Sequence, residues 1–229
     1  MEHLVTADGL ALHWQRWPAA GQTARGTVLV VHGLGEHVGR YATLARHLTA
    51  LGWQVLGYDQ RGHGRSDGPR GGIARDDSLL ADLALAVDRA RDGASGRLLL
   101  LGHSLGGVIA ARFVAERLAT NPAAWCREVD ALILSSPALD PGMNAAQQLM
   151  LALAAPLAPD VALSSGLKPA WISRDPAVVK AYVDDPLVHD RVTPRLVRFI
   201  VEGGRAVRAA APRWPPSPPM PGMSASFQR

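Results

Sequence analysis

Short apolar runs alternate with longer amphipathic segments along the first 139 residues of this 229-residue chain. The apolar runs are of strand length and lie at residues 27–33, 53–58, 98–101 and 131–134. The amphipathic segments between and after them predict helices at residues 40–51, 77–91 and 108–120. Strands that alternate with helices in this way predict a mostly parallel, doubly wound α/β sheet. Residues 10–17 alternate between polar and apolar side chains and predict an edge strand.

After residue 139 the alternation stops, and we place the end of an α/β core, residues 1–139, at this point. Residues 140–195 form helical fragments broken by seven prolines, which predicts a helical cap inserted over the sheet. Its segment 144–156 is an apolar helix that would line a pocket, touch a lipid surface or pack on its own domain. Residues 196–211 predict a further core helix. Residues 212–229 begin with six prolines in ten positions and predict a disordered tail.

The apolar run at 98–101 turns directly into Gly102-His-Ser-Leu-Gly106, and a helical segment follows. Strand, sharp turn and helix are the context of a nucleophile elbow, in which glycines on either side of the serine leave room for a strained backbone. Ser104 is therefore the candidate nucleophile, with an ordinary tight turn as the alternative. The candidate donors to an oxyanion are the backbone N–H groups of Leu34, after the first buried strand, and Leu105, at the start of the helix.

The charge distribution argues against a nucleic-acid partner. Residues 1–202 contain 20 basic and 20 acidic side chains, so the net charge of +4 comes from four arginines near the C-terminus. No basic face interleaved with aromatic residues is visible in the body of the chain. The single cysteine, Cys126, excludes an internal disulfide and is interpreted as a buried thiol.

The sequence contains no Cys/His cluster with metal spacing, and we expect neither a metal nor a cofactor. It also lacks a signal peptide at its start and an apolar run of membrane-spanning length. We therefore expect a cytoplasmic protein, with transient contact between the cap and a membrane surface, and no obligate protein partner.

Several motifs resemble the monoacylglycerol lipase and lysophospholipase branch of the α/β-hydrolase family, often grouped with serine aminopeptidases. They are His32-Gly-Leu-Gly-Glu-His37 with Gly39-Arg-Tyr41, Tyr58-Asp-Gln-Arg-Gly-His-Gly-Arg-Ser-Asp-Gly68, Gly102-His-Ser-Leu-Gly-Gly107, Ser173-Arg-Asp-Pro176 and Asp185-Pro-Leu-Val188. The resemblance extends from the N-terminus to about residue 212. It implies the α/β-hydrolase fold, a serine that attacks an acyl ester and a cap that shapes an acyl-chain tunnel. The implied substrates are small esters such as monoacylglycerols and lysophospholipids.

The resemblance ends before the positions of the family's catalytic acid and base, which lie on loops after two further strands. In this chain no acidic residue follows Glu202 and no histidine follows His189. We therefore expect that the last two strands and the triad Asp and His are missing. Other polar residues are interpreted as structural rather than catalytic: His3, His13, His32, His37, His47, His63, His103, His189, Asp59 and Asp67.

Two expectations follow from the missing segment. The strand at 131–134 should be an exposed apolar edge, prone to pair with other chains. The proline-rich end, in a chain with 22 arginines and two lysines, suggests a reading-frame change near residues 213–214 of a GC-rich coding sequence. Translation of the downstream nucleotides in all three frames would test this hypothesis.

The sequence therefore predicts a serine ester hydrolase of the monoacylglycerol lipase type, acting through an acyl-enzyme on Ser104 and nearly inactive at this length. A non-catalytic protein that binds a lipid or a partner is one alternative. A peptidase of the same fold is another, and it would need an anionic pocket for the free amine of its substrate.

Overall fold

The computed structural model describes residues 2–21, 24–92 and 96–214. Six strands form the main sheet: β1 (Glu2–Val5), β2 (Ala11–Trp17), β3 (Gly26–Val31), β4 (Gln54–Tyr58), β5 (Arg97–His103) and β6 (Ala131–Ser135). Their order in space is β1-β2-β4-β3-β5-β6. Strand β3 pairs in parallel with β4 and β5, and β5 pairs in parallel with β6. Strands β1 and β2 are antiparallel additions at the β4 side.

Six helices accompany the sheet: α1 (Ala42–Ala50), α2 (Ser78–Arg91), α3 (Leu105–Ala115), α4 (Ala145–Leu157), α5 (Pro176–Val183) and α6 (Pro194–Ala210). The predicted cap contains α4, α5 and a small antiparallel pair of strands, β7 (Leu163–Ser164) and β8 (Arg191–Val192). No helix among the described residues is long and apolar enough to cross a bilayer.

Alternate residues of β3 point to opposite faces of the sheet, as the geometry of a strand requires. Leu29 and Val31 belong to the larger core cluster, which also contains residues of α2, α3 and α6. Val28 and Val30 pack instead in a smaller cluster with Ala45 of α1. Helices therefore cover both faces, and the predicted doubly wound α/β architecture is confirmed.

The structure corrects several boundaries. The segment predicted as an edge strand, β2, is not at the edge, because β1 pairs with its outer side and places Leu4 opposite Leu12. The helix predicted at 108–120 begins at residue 105 and ends at 115, where a short 3-10 turn follows. A 3-10 turn, Ala211–Arg213, occupies the predicted start of the tail, whereas 215–229 lie outside the described residues. The cap boundaries stay a prediction.

Strand β6 is the far edge of the main sheet as far as the structure describes it, because it pairs only with β5. Ile133 is 43% exposed and Leu134 is 36% exposed. Unpaired backbone groups beside apolar side chains are an open template for another strand. The prediction of an exposed apolar edge is therefore confirmed.

A buried ion pair ties α2 to the glycine-rich loop that follows β4. The guanidinium of Arg61 donates from Nε to Asp82 Oδ2 at 2.6 Å and from Nη2 to Asp82 Oδ1 at 2.7 Å. Both side chains are almost fully buried. Arg61 also contacts Asp8 at 2.8 Å, and this hydrogen bond holds the pKa of the Asp8 carboxyl well below its usual range. Through Asp8, the turn between β1 and β2 is therefore joined to the same arginine as α2.

Replacement of Asp82 by alanine should lower the free energy of unfolding by about 3–5 kcal/mol, because it leaves the Arg61 guanidinium buried without its main partner. Asp88, also on α2, is the matched control, since it forms a two-point pair with Arg127 at the surface. Asp88→Ala should cost about 1 kcal/mol or less. Urea unfolding of both variants measures the difference, and similar losses would contradict the buried-pair argument.

Candidate active site

Ser104 is the single residue between the end of β5 and the first residue of α3. Its backbone has φ 50° and ψ −114°, a combination that ordinary L-residues avoid. The positions two residues before and after Ser104 must be glycines, because neighbouring backbone leaves no room for a side chain there. A Cβ atom at Gly106 would collide with the carbonyl oxygen of Val31, and one at Gly102 would collide with the carbonyl oxygen of Gly106. This is the geometry of the predicted elbow.

The backbone of Ser104 is held firmly, whereas its hydroxyl is not. The amide N–H donates to the carbonyl oxygen of Ser135 at 3.1 Å, and the carbonyl oxygen accepts from the amides of Gly107, Val108 and Ala138. The side-chain Oγ is half-buried and forms no hydrogen bond with any residue that the structure describes. A hydroxyl presented in this way is free to meet a ligand.

The loop after β3 lies directly against Ser104. A Cβ atom at Gly33 would be 3.3 Å from the Cβ of Ser104, so the two segments are in contact. The Gly33 amide already donates to Glu36 Oε1 at 2.6 Å. The Leu34 amide has no acceptor among the described residues. The amide of Leu105 is in the first turn of α3, where no intrahelical acceptor exists. The structure therefore brings the predicted trio together.

The carboxylate of Glu36 fixes the shape of this loop, and the sequence analysis did not identify that role. Besides the Gly33 amide, it accepts from the Tyr41 hydroxyl at 2.7 Å and from Arg40 Nε at 3.3 Å. Burial disfavours its charge, but hydrogen bonds from the Tyr41 hydroxyl and the Gly33 amide stabilise the carboxylate and hold the pKa of Glu36 below its usual value. The segment Gly33-Leu-Gly-Glu36 was the available signal, since a carboxylate three residues after a glycine can accept a hydrogen bond from the amide of that glycine.

No imidazole is hydrogen-bonded to Ser104 Oγ within the described residues, which include all eight histidines. His32 has both ring nitrogens engaged, Nδ1 with the Gly33 carbonyl at 2.8 Å and Nε2 with the Gln60 amide at 2.9 Å. His103 directs Nδ1 to the carbonyl oxygen and the hydroxyl of Ser135, each at 3.1 Å. Their interpretation as structural residues agrees with these contacts.

Three imidazoles form a row between the core and the returning cap segment. The ring centroids of His32 and His63 are 5.3 Å apart, and those of His63 and His189 are 4.7 Å apart. His189 donates from Nε2 to the Gly62 carbonyl at 3.1 Å and accepts the Arg191 amide on Nδ1. Burial lowers the pKa of His63 well below its usual value and that of His189 to about 4. All three rings are therefore neutral near pH 7.

The cap returns to the core through contacts with the same loops. Asp185 Oδ2 lies 2.9 Å from His37 Nε2, and the His189 amide donates to the Gly35 carbonyl at 2.9 Å. A Cβ atom at Gly35 would collide with the His189 carbonyl oxygen, and one at Gly71 would collide with that of Arg191. The backbone of the returning cap segment thus packs directly against glycines of two core loops, where a side chain would not fit.

Some of the remaining predicted structural residues also have partners, whereas both ring nitrogens of the buried His13 have none among the described residues. Asp59 is fully buried and accepts the amides of Val38 and Arg65, each at 2.8 Å, so its interpretation as a turn carboxylate is confirmed. Asp67 accepts the amide of Ala11 at 2.9 Å. Cys126 is half-buried rather than fully buried, and burial raises the pKa of its thiol, which leaves it a poor nucleophile.

Comparison with known proteins agrees with this geometry. The sequence profile of the serine aminopeptidase S33 family of hydrolases matches residues 22–220. The chain belongs to this family. It is 34% identical to a monoacylglycerol lipase of Mycolicibacterium smegmatis, over 82% of this chain and 66% of that protein. It is 35% identical to human monoglyceride lipase, over 82% of this chain and 60% of that protein.

Solved structures give the same assignment. A crystal structure of Paleococcus ferrophilus monoacylglycerol lipase superposes with a TM-score of 0.75 at 31% identity, and the match covers 87% of this chain and 72% of that one. The chain is thus an α/β-hydrolase of the monoacylglycerol lipase branch, as the motifs predicted. It spans 60–66% of the length of the two curated lipases above.

The strain at Ser104 can be measured by substitution. Glycine adopts φ 50° without cost, so Ser104→Gly should be about 1 kcal/mol more stable than Ser104→Ala. Ser78, the first residue of α2, is the matched control, and there glycine should be about 1 kcal/mol less stable than alanine. Thermal unfolding of the four variants gives the comparison. The same order at both positions would show that the elbow stores no strain.

The neutral imidazole row predicts a loss of stability in mild acid. The pKa of His189 is about 4 in the folded chain and about 6.5 when unfolded, so the unfolded state binds an extra proton between these values. Stability should therefore fall as the pH drops from about 6.5 towards 4. His189→Gln should reduce that slope by up to about 1.4 kcal/mol per pH unit. A slope in His189→Gln equal to that of the parent chain would contradict the argument.

Proposed function

We propose that this chain is built as a serine ester hydrolase that cleaves single-chain acyl esters, such as monoacylglycerols or lysophospholipids, through an acyl-enzyme on Ser104. The observation that carries the proposal is the free Oγ of Ser104, held at a strained elbow between two unoccupied backbone amides. The lipase relatives support the same class of substrate.

The proposed chemistry begins with attack of Ser104 Oγ on the ester carbonyl carbon. The carbonyl oxygen becomes an oxyanion, and the Leu34 and Leu105 amides donate to it. The N-terminal end of α3 adds a favourable dipole. Solvent water takes up the Ser104 proton and delivers it to the departing oxygen, so that collapse of this intermediate releases the alcohol and leaves the acyl group on the serine. A further water then hydrolyses the acyl-enzyme and releases the acid.

The proton of Ser104 has no imidazole acceptor within hydrogen-bond distance among the described residues. A nucleophile without its base retains only oxyanion stabilisation and substrate binding, which leaves turnover roughly 10⁴ to 10⁶ below that of a complete triad. We therefore expect the 229-residue chain to acylate slowly and to favour esters with good leaving groups.

The surface of the cap supports an apolar substrate. Eleven large apolar side chains between positions 149 and 183 are exposed: Leu149, Met150, Leu153, Leu157, Val161, Leu163, Leu167, Trp171, Ile172, Val178 and Val183. Such a surface suits an acyl chain better than the charged amine of a peptide substrate. Contact of this surface with a membrane stays a prediction.

Labelling with a fluorophosphonate probe tests the proposal. Slow, saturable labelling should occur at Ser104 and should disappear in Ser104→Ala. Ser135→Ala is the matched control, because it removes the hydroxyl that contacts His103 but leaves the elbow intact, and its labelling should persist.

Hydrolysis of p-nitrophenyl esters by the same variants gives the rate. Labelling that survives Ser104→Ala would refute the assignment of the nucleophile. Turnover near 10 s⁻¹ that depends on Ser104, a rate typical of complete enzymes, would show that one of the imidazoles serves as the base after all.

A further inference from the structure

The main sheet has two edges within the described residues, strand β1 on one side and strand β6 on the other. The two edges differ in their side chains. Strand β1 exposes two ionisable residues, Glu2 and His3. Strand β6 contains no charged residue and exposes Ile133 and Leu134. Charged side chains on an edge strand hinder its pairing with another chain, so β6 is the edge that lacks this protection.

The backbone of β6 is free on its outer side, because this strand pairs only with β5 among the strands that the structure describes. Just before β6, the Asp130 amide donates to the Leu98 carbonyl oxygen of β5 at 2.8 Å. The Asp130 carboxylate is held on the same side, where it accepts from the Leu98 amide at 2.7 Å and from Arg91 at 2.9 Å. Successive strand residues direct their backbone groups to alternate sides, so the N–H and C=O of Ile133 point away from β5.

The sequence of β6 is suited to pairing with a second copy of itself. Ala131-Leu-Ile-Leu-Ser135 reads nearly the same in both directions about Ile133. An antiparallel pair centred on Ile133 places that residue opposite its own copy. Each leucine then lies opposite a leucine, and Ala131 lies opposite Ser135. Side chains that face each other across two strands stabilise a sheet, and no like charges meet in this register.

Other arrangements of the same strand are less favourable. A pair centred on Leu132 would place the charged Asp130 opposite Leu134. A pair centred on Leu134 would place Ala131 opposite Pro137, which has no N–H to donate. Pairing of β6 with β1 of another copy would leave a free edge at both ends, so that copies would add without limit rather than close into a dimer.

Both faces of β6 present apolar side chains to such a pair. On one face, the half-buried Leu132 packs against the larger core cluster. On the other face, Ile133 lies beside Leu101 of the smaller cluster and is 43% exposed. Residues directly opposite each other in a sheet point to the same face, so two copies of Ile133 would contact each other and cover this exposed area.

We propose that two copies of this chain associate through β6, antiparallel and centred on Ile133, so that their six-stranded sheets join about a two-fold axis. The contact uses the same surface on both copies and therefore closes at the dimer. Two five-residue strands bury less than the ~1,200 Å² of a standard stable interface, so we expect a weak dimer with a roughly micromolar Kd. Association needs no chemistry at Ser104 and is independent of the proposed hydrolase function.

Sedimentation of the full chain between roughly 1 μM and 1 mM tests the proposal. A reversible equilibrium between monomer and dimer should appear, with no larger species. Ser104→Ala should give the same equilibrium as the parent chain. A protein that stays monomeric over this range, or that grows beyond the dimer, would overturn the proposal.

Substitution at the centre of β6 locates the interface. Ile133→Lys should raise the Kd of the dimer roughly 100-fold or more, because two like charges would meet on the two-fold axis. Val5→Lys, at a side chain 68% exposed on β1, is the matched control and should leave the Kd unchanged. Thermal unfolding shows that each variant is folded. Dimerisation that survives Ile133→Lys, or that is lost in Val5→Lys, would refute β6 as the interface.

Disulfide cross-linking in a Cys126→Ala background tests the register. Ile133→Cys should give a covalent dimer on oxidation, because opposite residues of an antiparallel pair have Cα atoms about 4.5–5.5 Å apart, within the range of a disulfide. Ala131→Cys should not cross-link with itself but should cross-link with Ser135→Cys when the two proteins are mixed. Efficient self-linking of Ala131→Cys without linking of Ile133→Cys would contradict the register.

Discussion

The first turn of α3 lies so close to the end of β3 that a Cβ atom at Gly106 would collide with the carbonyl oxygens of Val31 and His32. This close approach places the Leu105 amide beside the loop after β3, where the Leu34 amide also has no acceptor in the part of the chain that the structure describes. It also pushes Ser104 into a positive φ, because the chain must reverse within one residue. The positions of the two candidate donors and of the Ser104 hydroxyl thus depend on the same glycine, which has no side chain.

The loops that meet at the elbow also receive the cap. Within the loop after β3, Glu36 accepts the amide of Gly33. The carbonyl oxygen of the adjacent Gly35 accepts the amide of His189 from the returning cap segment. The glycine-rich loop after β4 is joined to α2 by the buried Arg61–Asp82 pair. The cap therefore contacts the loop that carries the candidate donor Leu34, which links the position of the cap to that of the candidate site.

Local patterns were enough to predict the buried strands and the strand-turn-helix geometry at Ser104, whereas the roles of Ser104, Leu34 and Leu105 stay a prediction. Their signals are contiguous apolar runs and glycines that a steric constraint demands. Strand β1 was missed because only Leu4 of its four residues is buried and its pairing with β2 is a tertiary effect. The contact between His37 and Asp185 joins positions 148 residues apart, so no sequence pattern could indicate it.

Ester hydrolysis by a serine needs a shaped nucleophile, donors for the oxyanion and a neutral imidazole with one nitrogen free at the hydroxyl. The first two are local properties of two loops, and Ser104 with the amides of Leu34 and Leu105 are the candidates for them among the described residues. The correctly placed imidazole is not a local property, because its position depends on a histidine that is distant in the sequence. His32 and His189 each use both nitrogens on backbone groups, and His63 is enclosed between them. Neutral imidazoles near an elbow are therefore not equivalent to a base, because a base needs a lone pair directed at the serine.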